Sequence, residues 1–296
     1  MAAAEPKYLQ RLNVYYNLMR KRVKESSQHW DMKDKAAREV LYRLLYGMRI
    51  ATEEVLLHGD SASFDPVLEV SGGPSSVPAA NLFGIKVHSG DLLVSRGGAE
   101  VSALISRGND YPGNFSHVAL LYVEEKTNKP WLIEAHIEKG VAVASAEEYV
   151  RDKKLRFMVL RPRSDLLQLK ADPLLPHKAA RSMYLRALAR HIPYDFKMNF
   201  NDSTAMFCSE VGSFAYKQYG IDLWKFNSTI SSGGVIKWLG DFGVENFITQ
   251  MPSDLEYDPQ LTVVAEWRNP ETLRQDHVDN AVMDALYEEA EKGPIS

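Results

Sequence analysis

The chain has 296 residues, which is enough for one large domain or two modest ones to bury a hydrophobic core without covalent staples. Its formal net charge of −4 and its pI of about 6.1 argue against nucleic acid as a partner, because phosphates require a basic surface. The single cysteine, Cys208, excludes an intramolecular disulfide and a zinc site built on several cysteines. The sequence contains no phosphate-binding loop and no dinucleotide fingerprint, and we expect no cofactor.

The hydrophobicity along the chain predicts no transmembrane segment. No apolar run approaches the roughly 18 to 20 residues that a bilayer span requires. Residues 1–23 lack the hydrophobic core of a secretory signal. We therefore expect a soluble, cytoplasmic chain, and the earlier removal of a leader would be compatible with the cell envelope instead.

Residues 1–60 are predicted to form an N-terminal helical extension. Apolar residues recur at helical spacing in two groups, Leu9, Leu12, Tyr16 and Leu18 in the first and Val40, Leu41, Leu44, Leu45 and Met48 in the second. We interpret them as an antiparallel helical pair that could also form a homodimer interface. The basic stretch 20–24 is interpreted as a solvated helix face, with a membrane-surface or partner-helix role as the alternative.

The rest of the chain predicts an α+β architecture. Residues 61–83 are rich in Gly, Ser and Pro and are interpreted as a linker or a long loop before a domain at 84–296. Short β-type runs then predict a compact antiparallel sheet, at 85–96, 116–123, 130–137 and 155–162, with a further strand at 261–267. Helical patterns fall at 101–106, 177–191, 205–219 and after the last strand.

Cys208 is predicted to lie in or near the first turn of a helix. Asp202, Ser203 and Thr204 are good N-cap residues, and apolar residues follow them at helical spacing. The partial positive charge at a helix N-terminus favours a thiolate over a neutral thiol. Position alone does not make a cysteine catalytic, since a lone cysteine among apolar neighbours is also typical of a buried core residue.

A nucleophilic thiol needs an imidazole that takes its proton and a third polar group that orients the imidazole. Strand alternation in SHVALLYV puts His117 on one face, and in WLIEAHI it puts Glu134 and His136 together on one face. If residue 124 pairs with residue 129 across the turn, His117 faces His136 and is diagonal to Glu134. A two-residue slide would set His117 opposite Glu134 instead, and an odd-length loop would separate them.

Four segments in this order resemble a known family. They are GDLLVSRGGAEVSALISRG, NFSHVALLYV, WLIEAHIEKGVAVASAEEYV and IPYDFKMNFNDSTAMFCSEVGSFAY. Together they resemble the circularly permuted papain-fold cysteine amidases of the NlpC superfamily, in particular the YiiX-like group, with lecithin:retinol acyltransferase as a more distant relative. The resemblance covers roughly residues 84–225 and extends to the strand that ends at 267, and it leaves the helical extension outside.

The resemblance implies a catalytic triad. The family's nucleophile falls on Cys208, its base on His117 and its third polar residue on Glu134, with the histidine before the cysteine as the permutation requires. Glu134 follows His117 by 17 residues and Cys208 follows it by 91. Many relatives have tyrosine just before the cysteine, where this chain has Phe207.

The resemblance also implies residues that surround the triad. The family's Tyr-Asp pair falls on Tyr194 and Asp195, and the acid two residues after the cysteine falls on Glu210. Tyr194 is a candidate oxyanion donor beside the Cys208 backbone N–H, or a packed aromatic at the mouth of the cleft. Asp195 and Glu210 are candidates for binding a substrate ammonium group, or structural acids near a helix N-terminus.

We therefore predict a cysteine hydrolase that cleaves an amide bond through an acyl-thioester. Its substrate class would be a small peptide, a cell-wall-type peptide, an amino-acid amide or another acylated amine. A lipid acyltransferase or thiol esterase that uses the same triad is the alternative. A metal-dependent hydrolase built on His117, Glu134 and His136 is a weaker hypothesis, because no HExxH-type helical pair accompanies these residues. A binding module without activity is a further one, and the intact cysteine, histidine and glutamate argue against it.

Overall fold

A computed structural model of the chain describes residues 6–59, 65–70 and 72–292. The helices are α1 (Pro6–Ser27), α2 (Lys35–His58), α3 (Glu100–Arg107), α4 (Ala146–Tyr149), α5 (Leu167–Ala171), α6 (Leu175–Ala189), α7 (Cys208–Lys217), α8 (Gly233–Asp241), α9 (Asp254–Tyr257) and α10 (Pro270–Lys292). The strands are β1 (Val67–Glu69), β2 (Ala79–Leu82), β3 (Ile85–His88), β4 (Leu92–Gly97), β5 (His117–Val123), β6 (Pro130–His136), β7 (Gly140–Ser145), β8 (Lys154–Pro162), β9 (Ser228–Thr229), β10 (Ile248–Thr249) and β11 (Leu261–Trp267).

A seven-stranded antiparallel sheet organises the molecule, with strand order β1-β11-β8-β4-β5-β6-β7. Helices α6 and α7 pack on one face, where Val211 and Ala215 join Val118 and Leu120 in the main hydrophobic core. The β2–β3 hairpin and α4 cover part of the other face. The predicted α+β class and the antiparallel sheet are confirmed.

Part of the stretch 61–83 is more ordered than the expected linker or loop. Its described residues include β1, which pairs with β11 at one edge of the sheet, and β2, which pairs with β3. The short apolar run at 67–70 accounts for the first strand, since an edge strand needs only main-chain partners on one side. Residues 60–64 and 71 lie outside the described residues.

The N-terminal helices form the antiparallel pair that the sequence predicts. Leu9 near the start of α1 packs with Leu56 near the end of α2, and Val23 near the end of α1 packs in the cluster that contains Leu41 of α2. The side chain of Asp34 caps α2 by accepting a hydrogen bond from the Ala36 N–H at 3.0 Å. Among the described residues, no helix combines the length and the apolar content that a membrane span needs.

Buried charges fasten this helical pair to the sheet. The Arg49 guanidinium of α2 bonds to Glu256 of α9 and to Glu266 of β11, and all three side chains are almost fully buried. Arg20 of α1 donates to Glu266 at 2.8 Å. We call these four residues, together with Glu53 and Arg156, the ionic cluster; Arg156 of β8 holds Glu53 of α2 in a bidentate pair.

The ionic cluster corrects one expectation from the sequence. Stretch 20–24 is not a uniformly solvated face, because Arg20 and Lys24 are buried and only Lys21 and Arg22 are exposed on the surface. The Lys24 ammonium donates to the Glu256 carbonyl oxygen at 2.5 Å. Helical periodicity alone does not reveal a basic residue that turns inward, since its acidic partners lie more than 200 residues away in the sequence.

We predict that Arg49→Met destabilises the fold by about 3 to 5 kcal/mol, because it leaves two buried carboxylates without their shared counter-ion. The matched control is Arg43→Met on the same helix, whose partner Glu39 is exposed, and it should cost about 1 kcal/mol at most. Urea unfolding followed by circular dichroism measures both values. Equal unfolding midpoints for the two variants would show that the ionic cluster does not anchor the helices.

Candidate active site

The pairing of β5 with β6 brings the predicted site residues together. Ala119 faces Glu134 across the two strands, and the Glu124 N–H donates to the Lys129 carbonyl oxygen at 3.0 Å beside the turn. Continued to the start of β5, this register sets His117 across from His136, and their ring centroids are 5.7 Å apart. The first of the two registers considered from the sequence is therefore confirmed.

Glu134 lies between the two imidazoles and contacts both. Its Oε2 is 2.6 Å from the Nε2 of His117, and its Oε1 is 3.1 Å from the Nε2 of His136. The carboxylate is 2 % exposed, whereas the two imidazoles keep 20 % and 29 % of their surface. A buried carboxylate with two imidazole partners is well satisfied, and Glu134 rather than His136 holds the His117 ring through its Nε2.

Helix α7 begins at Cys208 and places this residue in the same cavity as His117. Phe207 is the N-cap residue, and its N–H donates to the Glu210 carboxylate at 2.8 Å. The Cys208 sulfur lies 3.9 Å from the Ser116 carbonyl oxygen, and Cys208 lines the same cavity as His117, with which it interacts electrostatically. Gly212 lets the helix approach the sheet closely, because an added Cβ would lie 2.8 Å from the Leu92 side chain.

The predicted start of this helix was wrong by several residues. Asp202, Ser203 and Thr204 do not cap α7, and the Asp202 carboxylate instead accepts the Thr204 N–H at 2.9 Å in a tight turn. The competing turn uses the same side-chain chemistry that a cap would use. Cys208 still falls in the first turn, now as its first residue, where the positive end of the helix dipole lies.

The neighbours of His117 raise the pKa of its imidazole. Burial opposes its charged form, but the contacts with Cys208 and Glu134 outweigh burial and raise the pKa of His117 to about 9. Glu134 responds in the opposite sense, because the two imidazoles overcome burial and hold the pKa of Glu134 well below its usual range. The imidazolium form is therefore favoured at neutral pH, between a sulfur and a carboxylate.

The loop that precedes His117 is fixed by the core and by the N-terminal helices. The Ser253 hydroxyl accepts the Phe115 N–H at 2.9 Å and donates to the Phe115 carbonyl oxygen at 2.8 Å. Arg49 lies over the Phe115 ring, 5.4 Å from its centroid, and the Tyr42 hydroxyl of α2 donates to the Pro112 carbonyl oxygen at 2.7 Å. The position of His117 is thus tied to α2.

A cavity of about 510 Å³ opens over Cys208 and His117. Its lining comes from the β4–α3 turn, helix α3, the ends of β5 and β6, the α4–β8 segment and the loop that carries Tyr194. A volume in this range accommodates a small organic substrate. The walls at 97–105 and 151–154 are not among the residues predicted from the sequence. The charged run RDKK is the one available signal for the wall at 151–154.

Tyr194 lines this cavity together with Cys208, as an oxyanion donor would. Burial raises the pKa of Tyr194 far above its usual value, and the negative charge of Cys208 adds to the shift, so the hydroxyl keeps its proton. Its ring also packs edge-on against the Phe196 ring, with 5.1 Å between the two ring centroids. This contact fits the alternative of a packed aromatic at the mouth of the cleft.

Asp195 and Glu210 occupy structural positions beside the site and do not line the cavity. The Asp195 carboxylate accepts the N–H groups of Lys197 and Asn199 at 2.9 and 2.6 Å. Burial, together with the charges of Asp195 and Cys208, raises the pKa of Glu210 to about 9, so that this acid is neutral near pH 7. These contacts fit the alternative of structural acids near the helix N-terminus, and ammonium binding by Asp195 or Glu210 stays a prediction.

The described part of the chain contains no group of three His, Cys, Asp or Glu side chains arranged to hold a metal ion. In the site itself, the Nε2 atoms of His117 and His136 both face the Glu134 oxygens. The three residues of the metal hypothesis therefore bond to one another through these atoms.

The comparisons with known proteins identify the family of the chain. The model of the permuted papain-like amidases, YaeF/YiiX, C92 family, matches residues 86–265, and the chain belongs to this family. A crystal structure described as the metalloprotein yiiX from Escherichia coli O157:H7 is similar at 22% identity and a TM-score of 0.46, over 60% of this chain and 95% of that chain. No curated protein matches the chain.

We predict that Glu134→Gln lowers the pKa of His117 below its wild-type value of about 9, because the variant removes an acceptor charge from the imidazolium. In the wild type, protonation of His117 stabilises the folded state. This contribution is fully present below about pH 6.5, the ordinary pKa of histidine, and is lost as the pH rises through about 9, the pKa of His117 in the folded protein. NMR titration of the His117 ring measures the change directly. Glu138→Gln, which removes an exposed acid from the same cavity, is the control and should leave the titration unchanged.

Proposed function

We propose that this member of the amidase family hydrolyses an amide bond with Cys208 as nucleophile, His117 as acid and base, and Glu134 as the group that orients His117. The observation that carries the proposal is the position of His117, which bonds to the Glu134 carboxylate and lines the same cavity as Cys208, whose interaction with the imidazole raises the pKa of His117. Covalent catalysis at a thiol requires a nucleophile, a base beside it and a third group that orients the base.

In the first half of the reaction, the Cys208 thiolate attacks the amide carbonyl carbon and forms a tetrahedral intermediate. The backbone N–H of Cys208 at the start of α7 and the protonated Tyr194 hydroxyl are the donors available to its oxyanion. His117 then gives its proton to the leaving nitrogen, the C–N bond breaks, and an acyl-thioester remains on Cys208.

In the second half, a water molecule attacks the thioester and His117 takes its proton. The second tetrahedral intermediate releases the carboxylic acid and restores the thiolate, with His117 again protonated. Glu134 keeps the ring in place throughout, because its carboxylate is almost fully buried and held by both imidazoles. An amide leaving group suits this arrangement, since a poor leaving amine needs the proton that His117 holds at neutral pH.

We predict that iodoacetamide alkylates Cys208 rapidly at pH 6 to 7 in the wild type and at least about tenfold more slowly in His117→Ala. Without the imidazolium, reactivity should rise only as the pH approaches about 8.5, the value of a free cysteine. Mass spectrometry of the labelled chain reports the rate, and because Cys208 is the only cysteine, Cys208→Ser should not be labelled.

The matched control is His191→Ala, which removes an exposed histidine outside the cavity and should label like the wild type. Slow labelling with the same pH profile in the wild type and in His117→Ala would contradict the proposed dyad. It would instead favour a cysteine that serves only the packing of α7.

A further inference from the structure

The cavity over Cys208 has an apolar wall that is open to the substrate. Val101 and Ile105 lie one turn apart on α3, and Ile137 follows the end of β6. Val101 is 47% exposed and Ile137 is 42% exposed, although both are large apolar side chains. Exposed apolar surface inside a cavity is typical of a site that an apolar part of a ligand covers.

A second part of the cavity wall is positively charged. It is formed by residues 151–154, which we call the basic segment. Arg151, Lys153 and Lys154 all line the same cavity as Cys208. The segment is held against the β4–α3 turn, because the Gly98 N–H donates to the Lys153 carbonyl oxygen at 2.9 Å. Three cationic side chains thus line the cavity that also contains the proposed nucleophile.

The cations of the basic segment have no carboxylate partner within 4 Å among the described residues. Lys153 donates to the neutral Gln275 side chain at 2.5 Å, and the Lys154 ammonium lies 4.7 Å from the centroid of the Tyr149 ring. This contrasts with the ionic cluster, in which every arginine has an acidic partner. Lys153 and Lys154 thus have neutral partners, and no described carboxylate neutralises the three charges.

Two acidic residues also line the cavity and limit the charge that the cleft presents. Asp152 belongs to the basic segment, and Glu138 lies with Ile137 after β6; both are exposed to solvent. The side chains of the rim therefore keep a net positive charge of one, with the positive groups gathered on the basic segment. The electric field of such a cluster raises the local concentration of anions. Added salt weakens this attraction by screening the charges.

We propose that the cleft binds an acyl amide with an anionic group, whose charge lies against the basic segment and whose apolar part lies against Val101, Ile105 and Ile137. An N-acylated amino acid with a free carboxylate has this combination of groups. The proposal names the substrate class for the hydrolysis proposed above and rests on that function only for the bond that is cleaved. The binding preference itself depends on the cleft alone.

The experiment measures binding to the full-length Cys208→Ala variant by isothermal titration calorimetry, so that no turnover occurs. N-octanoylglycine is compared with N-octanoylglycinamide, which is the same molecule without the negative charge. We expect the carboxylate to bind at least about tenfold more tightly, with a preference that falls as salt is added. N-acetylglycine should bind more weakly than N-octanoylglycine, because it lacks the chain that covers the apolar wall.

Charge variants decide where the preference arises. Adding Arg151→Gln, Lys153→Gln and Lys154→Gln should reduce the carboxylate preference to about threefold or less. The matched control adds Lys217→Gln, Lys225→Gln and Lys237→Gln, which remove three exposed positive charges outside the cavity, and it should keep the preference. Equal binding of the two ligands, no binding of either, or an equal loss in both triple variants would overturn the proposed subsite.

Hydrolysis separates this proposal from the proposed function. Wild-type protein is incubated with N-octanoylglycine, and release of glycine is followed with an amine reagent. Preferential binding without release of glycine would support the subsite and contradict cleavage of this amide. Equal hydrolysis of the carboxylate and the carboxamide would support the amidase chemistry and overturn the subsite.

Discussion

The Arg49 guanidinium lies between the carboxylates of Glu256 and Glu266, and the packing of several distant parts of the chain depends on this contact. Arg49 belongs to α2, Glu256 to α9 and Glu266 to β11, the strand next to the edge strand β1, and Arg20 adds α1 to the same group. Charges as deeply buried as these are tolerated only when they are paired, so each of these elements restricts where the others can lie. The N-terminal helices are thereby packed into the hydrolase fold.

One short loop connects the ionic cluster and helix α2 to the candidate active site. Arg49 covers the ring of Phe115, Ser253 holds the Phe115 main chain from both sides, and Tyr42 bonds to the loop at Pro112. His117 follows two residues after Phe115, at the first position of β5. The role proposed for His117 requires its ring to stay within hydrogen-bond distance of the thiol, and misplacement by an ångström is costly in catalysis.

The sequence predicts those parts of the site that depend on local periodicity. The two-residue period of β5 and β6 and the length of their turn place His117 beside Glu134 and His136, and helical spacing places Cys208 in a first turn. It does not predict contacts between residues that are far apart in the chain. The inward turn of Arg20, the cap of α7 by Glu210 and the wall formed by the basic segment all depend on tertiary packing, which no local pattern encodes.

Cys208 is the only sulfhydryl in the chain, and this has a consequence for its redox chemistry. A thiolate stabilised by an imidazolium is the form of cysteine that peroxides attack most readily, and the first product is a sulfenic acid. In many thiol enzymes a neighbouring cysteine captures that product as a disulfide and protects it. Here the chain offers no such partner, so recovery requires a thiol from outside the protein, and further oxidation to the sulfinic acid is irreversible.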